Sequence, residues 1–217
     1  MKVEILRTVQ DLLLWRSKLD NPLYLVPTMG NLHTGHQELI KYPLHHHKKD
    51  NQNILVSIFV NPTQFGADED FERYPRSIEK DISIVESSGG SAIWAPSVDE
   101  VFPDGDDSNF SIQVPKKFIS SMCGKMRPGH FNGVASVVMR LLTLIKPSSI
   151  ILGEKDWQQY IIIKELIKSF NLPVKVIGVP TIRDIDNLAF SSRNKYLTNE
   201  DRRKAIILPK ILYKASK

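Results

Sequence analysis

The sequence predicts an α/β fold built on a mostly parallel sheet. Short, nearly unbroken apolar runs rich in β-branched residues recur along the chain, as strands covered on both faces require. Between them lie longer stretches whose apolar residues step by three and four, the mark of helices with one buried side. Strands alternating with helices imply crossover connections and parallel pairing.

The expected strands are residues 23–26, 54–60, 92–94, 150–152 and 174–179. The second reads ILVSIFV and the last contains VKVIGV, both poor in the polar alternation of a half-exposed strand. Val134, Val137, Val138, Leu141, Leu142 and Ile145 lie on one helical face, and Pro147 ends that helix. Residues 157–170 repeat the pattern with Tyr160, Ile161, Leu166, Ile167 and Phe170. Residues 96–115 interrupt the rhythm and read as a loop with a short strand around 108–114. Residues 199–217 read as a helix interrupted by Pro209. The chain shows no internal repeat and no low-complexity segment.

Composition narrows the classes. With 217 residues, 41% of them hydrophobic and 24% charged, the chain can bury a core and is unlike a disordered one. It holds no apolar run near the about 18 residues of a membrane span. The opening Met1-Lys2-Val3-Glu4 lacks a secretory apolar core. Cys123 is the single cysteine, which excludes an internal disulfide and a cysteine-based zinc cluster. A reducing, cytoplasmic setting is therefore expected. The 29 Lys and Arg against 24 Asp and Glu give +5, which suits an anionic partner, yet the charges are scattered as on a solvated surface.

In parallel sheets ligands bind beyond the carboxyl ends of strands, so chemistry is expected in the segments that follow them. After the first expected strand comes PTMGNLHTGH, from Pro27 to His36. Gly30 and Gly35 have the spacing of a P-loop, but His36 and Gln37 stand where that motif needs Lys and Ser or Thr. What remains is two imidazoles, His33 and His36, three apart at a helix entrance. Free backbone N–H groups there attract phosphate, and histidines can stabilise the charge that builds during its transfer. The alternative is a helix cap with incidental histidines.

After the second strand, Asn61 and Gln64 flank Pro62. Neutral amides read hydroxyls and carboxylates, although the segment taken alone reads as turn chemistry. Arg127 and His130 precede the 134–145 helix, where Arg127 could take an anion or pair with a structural acid. After the fourth strand comes GEKDWQQ. There Lys155 is a candidate phosphate partner, Asp156 a candidate for a hydroxyl or magnesium, and Gln159 a candidate for substrate. Glu154-Lys155 as a surface pair is the alternative. Ser191, Ser192 and Arg193 resemble a phosphate clamp, or a polar loop capping a helix. The tract His45-His46-His47 reads as an exposed helix end, because no carboxylate or cysteine joins it at ligand spacing.

Taken together, PTMGNLHTGH, VSIFVNPTQFG, EDFERYPR, RPGHFNGV, GEKDWQQ, VIGVPTIRD and SSRNKYL closely resemble the pantothenate synthetase (pantoate–β-alanine ligase) family. The His-x-Gly-His element (His33 to His36) alone belongs to a whole nucleotidyltransferase superfamily; seven segments in order are far more specific. The resemblance implies a Rossmann-like nucleotidyltransferase domain over residues 1–197. Residues 198–217 would then be the start of a linker and C-terminal lid domain largely absent from this chain, with the protein assembled as a homodimer. It also implies ATP-dependent ligation: pantoate and ATP give pantoyl adenylate and pyrophosphate with Mg2+, then β-alanine releases pantothenate and AMP.

By the same resemblance, Met29, Gly30, His33, Gly35 and His36 bind ATP, with His36 as proton donor. Gly153, Glu154, Lys155, Asp156, Ile182, Phe190, Ser191, Ser192 and Arg193 complete the nucleotide site. His33, His36 and Lys155 are the expected catalytic groups. Gln64 and Gln159 hold pantoate, and Gln64 also meets β-alanine. Relatives often carry a second acid before Asp81, where this chain has Lys80, so Asp81 is given no metal role and the metal ligands stay unassigned. Two rivals remain: a related adenylyl or cytidylyl transferase, separable by pyrophosphate exchange with a panel of acids, and a nucleic-acid-binding module. Steep salt dependence would mark the latter, whereas neither nucleic acid nor membrane is an expected partner.

Overall fold

Six strands form one sheet: β1 (Glu4–Leu6), β2 (Leu23–Thr28), β3 (Asn53–Ile58), β4 (Ala92–Trp94), β5 (Ser149–Gly153) and β6 (Lys175–Val179). The computed structural model describes residues 2–46, 52–66, 69–74, 77–105 and 110–215. The strand order is β1-β4-β3-β2-β5-β6 and every pairing is parallel. From β2 the chain builds outward through β3 and β4, then returns to lay β5 and β6 on the other flank. The topological switch point therefore lies between β2 and β5, where such sheets open a ligand crevice.

Both faces of the sheet are covered, which is why its strands lack alternation. Leu25, Leu55, Trp94 and Leu152 turn to one face, where α1 (Val9–Ser17), α7 (His130–Ile145) and α8 (Trp157–Ser169) supply Leu12, Val138 and Ile163. Val26, Val56, Ile93 and Ile151 turn to the other, against Ile40 of α2 (Thr34–His46) and Val85 of α3 (Ile78–Ser87). Short helices α4 (Val98–Val101), α5 (Lys116–Ile119) and α6 (Met122–Met126) lead into α7. α7 stops at Lys146, which takes a left-handed conformation (φ 49°) just before Pro147.

Two local expectations change. No strand forms in residues 110–114, and 108–109 lie outside the described residues. The amides of Ile112 and Val114 are instead taken by side chains of α7, Ser136 Oγ at 2.7 Å and Asn132 Oδ1 at 2.9 Å. An extended segment thus satisfies its backbone without a partner strand. The C-terminal helix breaks not at Pro209 but at Ile206, between α9 (Asn199–Ala205) and α10 (Ile207–Ala215). Pro209 sits in the first turn of α10, where its missing N–H has no intrahelical partner to lose. His45 and His46 end α2, with His46 Nδ1 3.0 Å from the Tyr42 carbonyl; His47 lies outside the described residues.

Candidate active site

The ends of β2, β3, β5 and β6 open into one cleft of about 270 Å3. β2 delivers Met29 and the entrance of α2, β3 delivers Asn61 and Gln64, β5 delivers Gly153 to Asp156, and β6 delivers Pro180 to Ile182. The chain then crosses back, and Phe190 to Arg193 form the remaining wall. The polar groups read from the sequence come together because they follow neighbouring parallel strands.

His33 and His36 stack with ring centroids 4.1 Å apart, and Phe190 lies 6.1 Å from His33. Each ring accepts a main-chain N–H at Nδ1: Gly35 N donates to His33 at 3.1 Å and His33 N donates to His36 at 3.3 Å. A ring that accepts at Nδ1 carries its proton on Nε2 when neutral. A side chain at Gly35 would meet the His33 ring at 3.0 Å, so glycine is what allows this packing. Burial, aided by Lys155, lowers His33 to about 4. Burial, then the neighbouring His33 and Lys155, lowers His36 to about 3. Both rings are therefore neutral near pH 7, with the proton on Nε2.

Because the unfolded chain's histidines protonate near about 6.5, stability from these rings is full above that pH. It is lost as pH falls towards their folded values, since only the unfolded chain then gains protons. Melting temperatures should accordingly drop between neutral pH and pH about 5. A His33→Gln/His36→Gln double variant should show a smaller drop. An equal acid loss in that variant would contradict the tautomers assigned.

On the other side of the cleft, Asn61 is 1% exposed and organises a turn over Pro62–Gln64. Its Oδ1 accepts from Thr63 N (3.3 Å) and Thr63 Oγ1 (2.9 Å). Its Nδ2 donates to Gln64 Oε1 (3.1 Å) and to the Gly133 carbonyl (3.3 Å). Gln64 Nε2 meets only the weak acceptor Met29 Sδ, at 3.1 Å, among these contacts. The main-chain carbonyl of Gln64 accepts from His130 Nδ1 at 2.8 Å, and Arg127 Nη1 donates to His130 Nε2 at 2.9 Å. Arg127 is itself held by both oxygens of Glu69, with Nε 2.6 Å from Oε1. The alternatives left open for Arg127 thus resolve to an acid pair that steadies Gln64 through His130.

Gly133 lets α7 reach this turn: a Cβ there would stand 2.3 Å from the Thr63 carbonyl oxygen and 2.8 Å from Gln64 N. Gly133→Ala should therefore cost about 1–3 kcal/mol of stability and displace Gln64. Chemical denaturation of the variant checks this, and an unchanged midpoint would refute the contact.

The last wall is tied down by ion pairs. Arg193 grips Asp70 through Nε (3.1 Å) and Nη2 (2.7 Å) and lies over the Tyr74 ring. Tyr74 Oη is 3.4 Å from Ser192 Oγ, and Ser191 Oγ accepts from Arg193 N at 3.3 Å. Arg202 of α9 bonds Asp184 (2.6 Å) and Asp186 (2.7 Å), anchoring the turn between Ile182 and Phe190.

Most sequence-derived site residues line the cleft: Met29, His33, Gly35, His36, Gln64, Gly153, Lys155, Asp156, Gln159, Ile182 and Phe190 to Arg193. Two do not. Gly30 packs instead against Asp81 and Ile58, and the Glu154 carboxylate lies beside Gly178 of β6. Tyr74 and Thr181, which no sequence signal singles out, are part of the wall, as are Val134, Val138, Leu141 and Ile163. By periodicity Val134, Val138 and Leu141 belong to a helix core, and Ile163 falls outside the pattern read for residues 157–170. They differ from ordinary core positions only in also facing a cleft, which periodicity does not reveal. Among the described residues, no group of three or more His, Cys, Asp or Glu side chains is placed to hold a metal, and no helix is long and apolar enough to cross a membrane.

A parallel sheet with paired imidazoles at the switch point and a lysine-bearing loop on the adjacent strand defines a nucleotidyltransferase-type α/β domain. The sequence profile of the family described as pantoate-beta-alanine ligase matches residues 3–217, and the chain belongs to that family. A bifunctional pantoate ligase/cytidylate kinase of Prochlorococcus marinus (strain MIT 9313) is 50% identical over 203 residues, covering 94% of this chain and 40% of that protein. The chain thus spans about two fifths of the length of that relative. The pantothenate synthetase structure from Thermus thermophilus superposes with a TM-score of 0.88 at 40% identity, covering 96% of this chain and 72% of that one. The pantoate-beta-alanine ligase of Francisella tularensis, complexed with "Beta-gamma ATP" and β-alanine, gives 0.89 at 38% identity, covering 97% and 79%. The Rossmann-like, parallel α/β expectation is met in full.

Proposed function

We propose that this protein joins pantoate and β-alanine at the expense of ATP, through a pantoyl-adenylate intermediate. The observation that carries the reading is the mixed lining of the cleft. Cation and N–H donors (His33, His36, Lys155, Arg193) line the same cavity as the neutral amides of Gln64 and Gln159 and the aliphatic side chains of Val134, Val138, Leu141 and Ile163. The first group suits phosphates. The amides and aliphatics suit a small acid with hydroxyls and methyl groups, whose carboxylate must stay nucleophilic and so is well met by neutral amides.

In the first step a pantoate carboxylate oxygen attacks the α-phosphorus. The bond to the bridging oxygen breaks, and pyrophosphate leaves with that electron pair. Such a displacement needs alignment and charge neutralisation rather than a protein nucleophile. His33 and His36, neutral and preorganised, stabilise the phosphoryl oxygens by donating from Nε2, and Lys155 adds a full charge. The role of His36 as proton donor becomes, at its lowered pKa, that of a hydrogen-bond donor. In the second step the β-alanine amine attacks the acyl carbon, AMP departs with the acyl oxygen bond pair, and the amine loses a proton.

Magnesium fits in part. Mg2+ keeps several waters and needs only one or two carboxylates beside substrate phosphates. Asp156 is the carboxylate lining the cleft among the described residues and would hold it, adding charge neutralisation for the phosphates. A homodimer in the cytoplasm, a nucleotide- and pantoate-binding unit over residues 1–197 with 198–217 as a separate segment, and the absence of nucleic-acid or membrane partners belong to the same proposal.

Incubating the protein with ATP, Mg2+, pantoate and β-alanine should yield AMP and pantothenate together. Omitting pantoate should stop AMP formation. AMP formation independent of pantoate, or activity with an unrelated acid in its place, would point to the related-transferase reading instead.

A further inference from the structure

We propose that Asp81 is a positioning residue for the nucleotide turn, acting through the backbone of Asn31 and Leu32 and not as a metal ligand. The inference rests on the adenylation reading above. Asp81 lies in the first turn of α3, outside the cleft, and is 1% exposed. Its two oxygens are committed separately: Oδ2 accepts from Asn31 N at 2.9 Å and Oδ1 from Leu32 N at 2.7 Å. A buried carboxylate so bound has no route to a hydrated cation.

The turn it holds is an unusual one. Gly30 (φ 80°) and Asn31 (φ 50°) are consecutive left-handed residues. Gly30 has no room for a side chain, since a Cβ would stand 2.9 Å from both Asp81 Oδ2 and Ile58 Cγ2. From the opposite side, Thr28 Oγ1 accepts from Gly30 N at 3.1 Å and donates to the Ser57 carbonyl at 2.8 Å. Asp81 and Thr28 thus clamp the turn between β2 and α2. That turn sets where Met29 ends and where the His33–His36 pair begins. A left-handed turn is adopted reluctantly outside glycine, so its two N–H groups need a fixed acceptor to stay in place. Asp81, which the sequence gives no metal role, has by its contacts the task of holding this turn.

Asp81→Asn keeps the shape but turns an NH2 towards one of the two N–H groups. Amide hydrogen exchange at Asn31 and Leu32 should quicken by at least about tenfold while α7 amides hold their protection. The rate of pantoate-dependent ATP–pyrophosphate exchange at saturating substrates should fall roughly 10- to 100-fold, the scale of a misplaced catalytic group. The half-saturating Mg2+ concentration should stay within about twofold of wild type. A large rise in the Mg2+ requirement, with the rate restored by excess Mg2+, would overturn the proposal in favour of a metal ligand. An unchanged rate per folded molecule with a lower melting temperature would overturn it in favour of a merely structural acid. If the wild type shows no exchange of pyrophosphate, the adenylation reading fails, and unchanged amide protection in Asp81→Asn would separately refute the clamp. Should the variant not fold, protection of the Asn31 and Leu32 amides in the wild type without Mg2+ or nucleotide still decides: strong protection supports the clamp and free exchange refutes it.

Discussion

Replacing His36 by alanine is expected to reduce pantoate-dependent ATP–pyrophosphate exchange by about 10²–10³-fold, the loss seen when one preorganised donor to a developing charge is removed. The ring is fixed before substrate arrives: its Nδ1 accepts from His33 N, and it stacks on His33 with centroids 4.1 Å apart. Removing it should leave the fold intact, because His36 stands at a cleft and not in either apolar layer. ATP binding should weaken far less than turnover falls. The remaining wild-type signature is pH. A histidine held at about 3 cannot impose an ionisation near neutrality, so the exchange rate should show no fall assignable to His36 between pH about 6 and 8. A profile in which only the wild type loses activity across about 6.5 would mean that the ring works as an imidazolium acid.

The second large effect concerns the amides. Gln64→Ala or Gln159→Ala should raise the pantoate requirement by roughly tenfold or more, since a bound hydroxyl or carboxylate loses its hydrogen-bond partner. The ATP requirement should move little. Gln64 is the sharper test, because its side-chain oxygen is already engaged by Asn61 and its Nε2 faces only a sulfur, leaving that NH2 group for ligand. Steady-state titration of each substrate in both variants checks this. Equal weakening towards ATP with pantoate unaffected would place the acid pocket elsewhere.

Much of the fold was legible because both faces of the sheet are covered. Leu25 and Val26, or Leu55 and Val56, are fully buried on opposite faces, so the strands appear in the sequence as unbroken apolar runs. β1 is hidden for the opposite reason. It is a three-residue edge strand in which only Leu6 is buried. The apparent strand near residue 112 misleads because its backbone is satisfied by α7 side chains, which sequence patterning does not encode. At the site, polar segments placed after strands point to the histidines, the lysine loop and Gln159, all of which line the cleft, whereas Gln64 reads as turn chemistry until the family resemblance is added. What sequence could not supply was partnership. Arg127 is bound to the carboxylate of Glu69, Glu154 turns away to β6, and Asp81 serves a turn some fifty positions earlier. Each of these depends on contacts between distant segments.

In the proposed reaction a pantoate oxygen forms a bond to the α-phosphorus of ATP, and isotope transfer reads that bond directly. Pantoate labelled with 18O in its carboxylate, turned over with ATP, Mg2+ and β-alanine, should deliver one labelled oxygen to AMP and none to pyrophosphate. Label appearing in inorganic phosphate alongside ADP would mean attack at the γ-phosphorus instead. Unlabelled AMP would mean that water, not pantoate, is the attacking group, and either result would contradict the adenylate mechanism.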